Sequence, residues 1–228
     1  MGHRGHQNRT GANRPEESEL NVKRIIALIS IAGALVLTGC SSISSAATVG
    51  SEKISQATVQ TSIDTVLAER AKVDTSQMTN LETGAALNRS QLRFHLIVAL
   101  LGAVGKDAKV TVTKAEIDTR RASIISQIGG AAALPKALVG AGIASVDLDA
   151  YLELILTSEK ISAAAVAAGV DQSTVGDEIQ KLVVAKAQEL KVTVNPRYGT
   201  WDSVNGDVIA VDSASPAASP AASTAATP

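Results

Sequence analysis

Ala85-Ala86-Leu87-Asn88-Arg89-Ser90-Gln91-Leu92-Arg93-Phe94-His95-Leu96-Ile97-Val98-Ala99-Leu100-Leu101-Gly102-Ala103-Val104 carries a helical pattern rich in large aliphatic side chains. Leu87, Leu92, Phe94, Ile97, Val98 and Leu101 are among its large apolar members. Arg89 and Arg93, one turn apart, read as a solvated face. The spacing predicts the most buried helix of a mainly α-helical domain.

Outward toward the C-terminus, Gly105 to Ala108 is expected to break this helix, and Val110-Thr111-Val112 reads as short and extended. Thr113-Lys114-Ala115-Glu116 is a capping box: a hydroxyl and a carboxylate satisfy the first free backbone donors of a new helix. That helix runs through Ile117, Ala122, Ile125 and Ile128 and closes at Gly129-Gly130. Leu134-Pro135 starts a short helix through Leu138, ended by Gly140-Ala141-Gly142. Ser145 is placed to cap a long helix through Leu148, Leu152, Leu154, Ile155, Leu156 and Ile161 to Val166. A final helix spans about Ser173 to Leu190, with Ile179, Leu182, Val183 and Ala187 on one side. Val192-Thr193-Val194 is again extended and leads into Asn195-Pro196-Arg197-Tyr198-Gly199-Thr200-Trp201. The acidic pairs Asp147 with Asp149 and Asp177 with Glu178 read as charges favoured at helix N-termini.

Toward the N-terminus, Asn80 to Gly84 is a turn or a frayed helix start. Val59, Ile63, Val66 and Leu67 form an apolar stripe behind Ser55, a suitable N-cap. Ala47-Thr48-Val49 and Lys53-Ile54 flank Gly50-Ser51 as a small hairpin. Ser41 to Ser45 is a serine-rich tether.

Before the tether stands Cys40, the one cysteine of the chain. It closes Leu37-Thr38-Gly39-Cys40 after an apolar run, Ile25 to Leu37, headed by Lys23 and Arg24. Positive charge, short apolar run, small residue and cysteine, in that order, read as a bacterial lipoprotein signal. The run is shorter than the about 20 apolar residues of a membrane-spanning helix. The expectation is cleavage before Cys40 and acylation of its thiol, with Leu37, Thr38 and Gly39 as the recognition box. The protein would then sit on the extracytoplasmic face of the cell membrane. One lipid chain anchors weakly, so stable attachment implies more than one acyl group. An uncleaved signal anchor with an incidental cysteine is the alternative. Residues 1–21 form a polar leader that no ordinary signal needs; translation from Val22 would remove it.

Composition narrows the rest. The chain has 228 residues and a net charge of −1, which offers no surplus of positive charge to nucleic acid. Aromatic residues make up 2 %, so the core must be aliphatic and stacking platforms for bases are scarce. Residues 213–228 contain only Ser, Ala, Pro and Thr and read as a disordered tail, within a flexible segment from 204. The domain boundaries expected are 1–21 leader, 22–39 signal, 40–46 tether, 47–203 helical domain and 204–228 tail.

Several of these pieces occur in a familiar order. The leucine-rich helix containing His95 is followed by the Lys109 to Asp118 turn into a helix. Then come Ala137-Leu138-Val139-Gly140-Ala141-Gly142-Ile143 and Asp147-Leu148-Asp149-Ala150-Tyr151-Leu152, leading to Glu159-Lys160-Ile161. This order resembles the N-terminal chaperone domain of the SurA and PrsA family of envelope foldases. The strand-and-cap opening Thr48 to Ser55 and the ending Val192 to Trp201 are similar to that domain's terminal segments. The resemblance covers about Ala46 to Trp201. It implies that Ala47–Ile54 pairs with Val192–Val194, that Tyr198 and Trp201 pack on the helices as a plug, and that a groove between helices holds unfolded polypeptide. Many members insert a parvulin-type prolyl isomerase domain before the last helix; here Gly169 to Ser173 leave no room for one.

The chemistry of common active sites is missing from the sequence. There is no Cys/His cluster for zinc and no glycine-rich phosphate loop with its lysine. Ser90 and Ser145 have no histidine nearby in sequence, and His95, the sole histidine after Cys40, has no evident partners. No catalytic residue, cofactor or metal is expected. The first reading is a membrane-anchored chaperone-like lipoprotein that binds unfolded or exported polypeptides without catalysis. An adaptor lipoprotein with one dedicated envelope partner and a residual prolyl isomerase are the alternatives. The apolar stripes serve equally as the protein's own core, so no peptide-binding residue is assigned.

Overall fold

The computed structural model describes residues 44–211. Cys40, the box Leu37, Thr38 and Gly39, the leader and signal (1–39) and the tail from 213 lie outside the described residues. The fold is mainly α-helical with a few short antiparallel strands.

The chain begins with a hairpin, β1 (Ser45–Val49) and β2 (Glu52–Ser55). Gly50 takes a positive φ of 62° in the turn and donates its N–H to the Leu190 carbonyl at 2.7 Å. Helix α1 (Gln56–Arg70) follows, its first turn capped by Ser55 Oγ, which accepts from the Thr58 N–H at 2.9 Å. Helix α2 (Gly84–Asp107) crosses the centre of the domain and packs on α1 and on two later helices, α5 (Leu148–Ala167) and α6 (Val175–Glu189). Between them lie α3 (Lys114–Gln127) and α4 (Leu134–Ala141). After α6, β3 (Thr193–Val194) pairs with β1 antiparallel, Ala47 opposite Val194 and Thr48 opposite Thr193. The sheet order is β2-β1-β3, so the two ends of the domain meet. A second hairpin, β4 (Thr200–Asp202) and β5 (Asp207–Ile209), closes the described chain.

The core is aliphatic. Leu92, Leu96 and Leu100 recur every fourth residue of α2, fully buried, beside Leu87, Leu101 and Val104. Each fully buried leucine contributes about 1.5–3 kcal/mol relative to exposure, so this row is the main reason α2 lies at the centre. Val59, Ile63 and Val66 face it from α1, Ile161 from α5, and Val183 and Ala187 from α6. Tyr198 is buried in the same cluster and Trp201 packs half-buried against it, as the expected plug requires.

Several expectations need correction. The break expected over Gly105 to Ala108 falls at the end of that stretch: α2 runs to Asp107 with Ala108 as its C-cap, and Gly105 is inside the helix, where α5 comes close. A Cβ there would sit 2.9 Å from Thr157 Cγ2. Just past the C-cap, Lys109 takes a φ of 55°, and the Val110 N–H reaches back to the Gly105 carbonyl at 2.8 Å. Val110–Val112 forms no strand. Ser145 does not cap α5: Ser145–Asp147 is a 3-10 turn, and α5 starts at Leu148. Leu67 and Leu182 are 47 % and 48 % exposed, because Val66 and Val183 take the inward positions on their helices. Helix α3 buries no residue fully. It is an outer layer on α5, tied by the ion pairs Arg120–Glu159, Arg121–Asp149 and Lys160–Glu116.

The domain also reaches further at both ends. Ser45 and Ala46, expected in the tether, are buried in β1, and Ser45 Oγ donates to the Ala47 carbonyl at 2.7 Å. Residues 204–209, expected in the flexible tail, belong to the turn and second strand of the β4–β5 hairpin, with Val208 buried. Arg93 pairs with Asp207 at 3.1 Å and so holds that hairpin on α2.

Candidate functional site

The Gly142 turn, which ends α4, brings two polar residues of α2 under the start of α5. Gly142 adopts a left-handed φ of 68°, and its carbonyl accepts from Gln91 Nε2 at 2.9 Å. Beside this contact opens a cleft of about 250 Å³ between α2, the Gly142 turn and α5. Phe94, Ile143 and Ala144 give it apolar walls; Glu82, Ser90, Gln91, Asp147 and Tyr151 give it polar ones. Apolar walls with a few converging polar groups are what a ligand site requires.

Behind one wall lies a buried polar cluster. Ser62 of α1 is 1 % exposed, and its hydroxyl donates to Asp147 Oδ2 at 2.6 Å. His95 Nε2 lies 2.9 Å from the same hydroxyl oxygen and 4.0 Å from Asp147 Oδ2. A hydroxyl has one proton, and the short bond to Asp147 takes it; His95 therefore donates its Nε2 proton to Ser62. Burial holds His95 below the ordinary imidazole value, and Asp147 offsets that only in part. The ring of Phe94 meets the His95 ring edge-on at 5.2 Å.

This trio shares its residue types with a nucleophilic triad but not the geometry. In a triad the serine gives its proton toward histidine, and the acid holds the far side of the ring. Here serine gives its proton to the acid, and its oxygen is enclosed. The arrangement ties α1, α2 and the turn before α5 together, and presents Asp147 to the cleft. Among the described residues no group of three or more His, Cys, Asp or Glu side chains could hold a metal ion. A second, shallower groove lies between α3 and α5, lined by Glu116, Thr119, Arg120, Ser123 and Leu156, but its charged members, both on α3, are already paired with Lys160 and Glu159 of α5.

The cleft was only partly foreseeable. His95 has partners the sequence does not reveal, because Ser62 and Asp147 lie 33 and 85 residues apart along the chain from His95 and Ser62 respectively. Asp147 and Asp149 both stand at the N-terminus of α5, as read: Asp147 is its N-cap residue, though without a side-chain capping bond, and Asp149 lies in the first turn and pairs with Arg121. Ser90 donates to the Leu87 carbonyl at 3.0 Å and has no histidine contact. The available signal is on α2 itself: Gln91 and His95 follow Leu87 at four-residue spacing, so two polar side chains interrupt an inward-facing row. Cys40 with Leu37, Thr38 and Gly39 lies outside the described residues. No single helix among the described residues is long and apolar enough to cross a membrane. Comparison of the chain with family models, with curated proteins and with solved structures finds no match.

Proposed function

We propose that this chain is a lipid-anchored, extracytoplasmic binding module that holds extended segments of unfolded or exported polypeptide, without catalysis. The observation that carries this reading is the open cleft beside α2, walled by Phe94 and Ile143 and floored by Gln91 and Asp147. An apolar segment laid across it gains about 25 cal/mol for each Å² of apolar surface removed from water, with little dependence on sequence. The order of elements fits the resemblance to the SurA and PrsA chaperone domain. So does the pairing of β1 with β3; the direct step from α5 to α6 through residues 168–174 departs from the members that carry an inserted isomerase domain there.

Anchoring rests on Cys40. Strand β1 starts at Ser45, so four residues separate the cysteine from the sheet. Fully extended, they span roughly 14 Å. The domain would therefore stand close to the lipid headgroups.

Two measurements test the reading. Radiolabelled palmitate should enter the wild-type protein in cells and be absent from Cys40→Ser; equal labelling of both removes the anchor. The purified full-length protein, at several-fold excess, should suppress aggregation of an unfolded reporter; no suppression removes the chaperone role. A pull-down that returns one stoichiometric partner replaces client binding with a dedicated adaptor. A proline-isomerisation assay should return the uncatalysed rate.

A further inference from the structure

We infer that the cleft between α2, the Gly142 turn and α5 is a pocket for a basic side chain, arginine or lysine, of a bound polypeptide. The inference rests on the polypeptide-binding reading and adds to it the residue class the pocket selects.

Hydrogen-bond capacity carries the argument. Gln91 is 4 % exposed and lines the cleft. Its amide orientation is fixed, because Nε2 must face the Gly142 carbonyl, which only accepts. The other amide atom, Oε1, is therefore an acceptor, and it has no partner among the described residues. It is also not sealed away from solvent, so it opens on the cleft. Water in the cleft can satisfy this oxygen, so a bound group that displaces the water must bring a donor to avoid a loss. Asp147 adds a second acceptor: Oδ2 is taken by Ser62, while Oδ1 has no partner among the described residues. Glu82 stands at the exposed rim, and among the described residues its carboxylate has no partner; its backbone carbonyl accepts from Arg70 at 2.5 Å. Among the described residues no lysine, arginine or histidine lines the cleft.

An acceptor-rich floor of Gln91 and Asp147, with Glu82 at the rim and the Phe94 ring and Ile143 as walls, matches a long side chain with an apolar stem and a cationic, donor-only head. Guanidinium presents five donors and stacks on an aromatic face; ammonium presents three. A neutral apolar side chain would leave Gln91 Oε1 unpaired, and an acidic one would be repelled by Asp147 and Glu82. The pocket thus gives an otherwise sequence-tolerant binder a preferred anchor residue.

The test uses the full-length protein and two fluorescein-labelled extended peptides that differ at one central position, arginine in one and its uncharged isostere citrulline in the other. The arginine peptide should bind about tenfold more tightly, corresponding to about 1.4 kcal/mol. Glu82→Gln should remove most of that difference at an unchanged melting temperature, since Glu82 is exposed. Raising the salt concentration should also narrow it. Equal binding of both peptides overturns the basic pocket and leaves the polypeptide reading standing. Binding of neither peptide overturns both. Free agmatine that binds as tightly as the arginine peptide replaces the side-chain pocket with a small-cation site and overturns the inference.

Discussion

Thr48 and Thr193 stand opposite each other across β1 and β3, 145 residues apart in the chain, with their hydroxyl oxygens 2.6 Å apart. Neither strand is long enough to hold a register alone: β3 has two residues. Side chains must therefore fix it. Asn195 is the main one. Its N–H donates to the Ala46 carbonyl at 2.9 Å, and its Nδ2 donates to the Ser45 carbonyl at 3.1 Å. This clasp joins the segment nearest the proposed lipid anchor to the segment that follows the last helix, so the helices between them are held at both ends.

Asn195→Ala should weaken that clasp. The Ser45 carbonyl loses its side-chain donor in a buried setting, which costs about 1–3 kcal/mol. Arg197 N–H, which donates to Asn195 Oδ1 at 3.0 Å, is exposed and can turn to water. Urea unfolding of the full chain should show a lower midpoint at unchanged slope. An unchanged midpoint would show that strand pairing alone fixes the register.

Gly199 and Gly176 should respond oppositely to alanine. Gly199 has a φ of 139°, and a Cβ there would lie 2.2 Å from the Ile209 carbonyl oxygen, backbone that cannot move aside cheaply. Gly199→Ala should separate β4 from β5 and expose Val208, with a loss of at least about 1–3 kcal/mol. Gly176 lies in the first turn of α6 with nothing within 4 Å of its Cβ position. Gly176→Ala should gain up to about 1 kcal/mol. Calorimetric melting of the two variants checks both signs.

The helices were legible because periodicity and capping act locally. Thr113 with Glu116, the inward positions of α1 and the row on α2 all follow from residues within a few turns of each other. What escaped depends on partners far along the chain. Gly105 reads as a breaker until Thr157 is known to lie against it. Ser145 reads as a cap until the backbone is seen to make a 3-10 turn first. The β4–β5 hairpin was missed because its strands have only three residues each, although Asn205-Gly206 in its turn, with Gly206 at a φ of 67°, is a local hairpin signal; α6 holds it through Gln180 Nε2, which donates to the Asn205 carbonyl at 2.7 Å. The cleft needed Ser62, His95 and Asp147 from three elements, and no local pattern announces such a meeting.

Thr113→Ala should loosen the outer helix without unfolding the core. Thr113 Oγ1 accepts from the Glu116 N–H, and Glu116 Oε2 accepts from the Thr113 N–H at 2.8 Å. Loss of an N-cap costs about 1 kcal/mol. Since α3 buries no residue fully, that loss falls on a helix with little packing in reserve. Hydrogen exchange should accelerate in the first turn of α3 and stay slow at Leu96 and Leu100. Uniform acceleration along the chain would show α3 to be integral to the global unfolding unit.

Acidification should weaken the domain in two separate windows. His95 is held below its ordinary value of 6.5, first by burial, so the unfolded chain takes up the proton more readily than the folded one. Its contribution is therefore complete above pH 6.5 and is lost as pH falls from 6.5 toward the lower folded value. Glu116 acts further down. Hydrogen bonds from Lys160 and from the Thr113 backbone lower it from 4.5 to about 2, so its contribution is present above pH 4.5 and disappears as pH falls through about 2. His95→Gln should flatten the upper window and leave the lower one in place, because an amide can still donate toward Ser62 but cannot titrate. Glu116→Gln should do the reverse. Melting temperatures measured from pH 7.5 to 2.5 separate the two. An upper window that persists in His95→Gln would move the titrating group elsewhere and leave the Ser62–His95–Asp147 cluster as a purely mechanical tie among α1, α2 and the turn before α5.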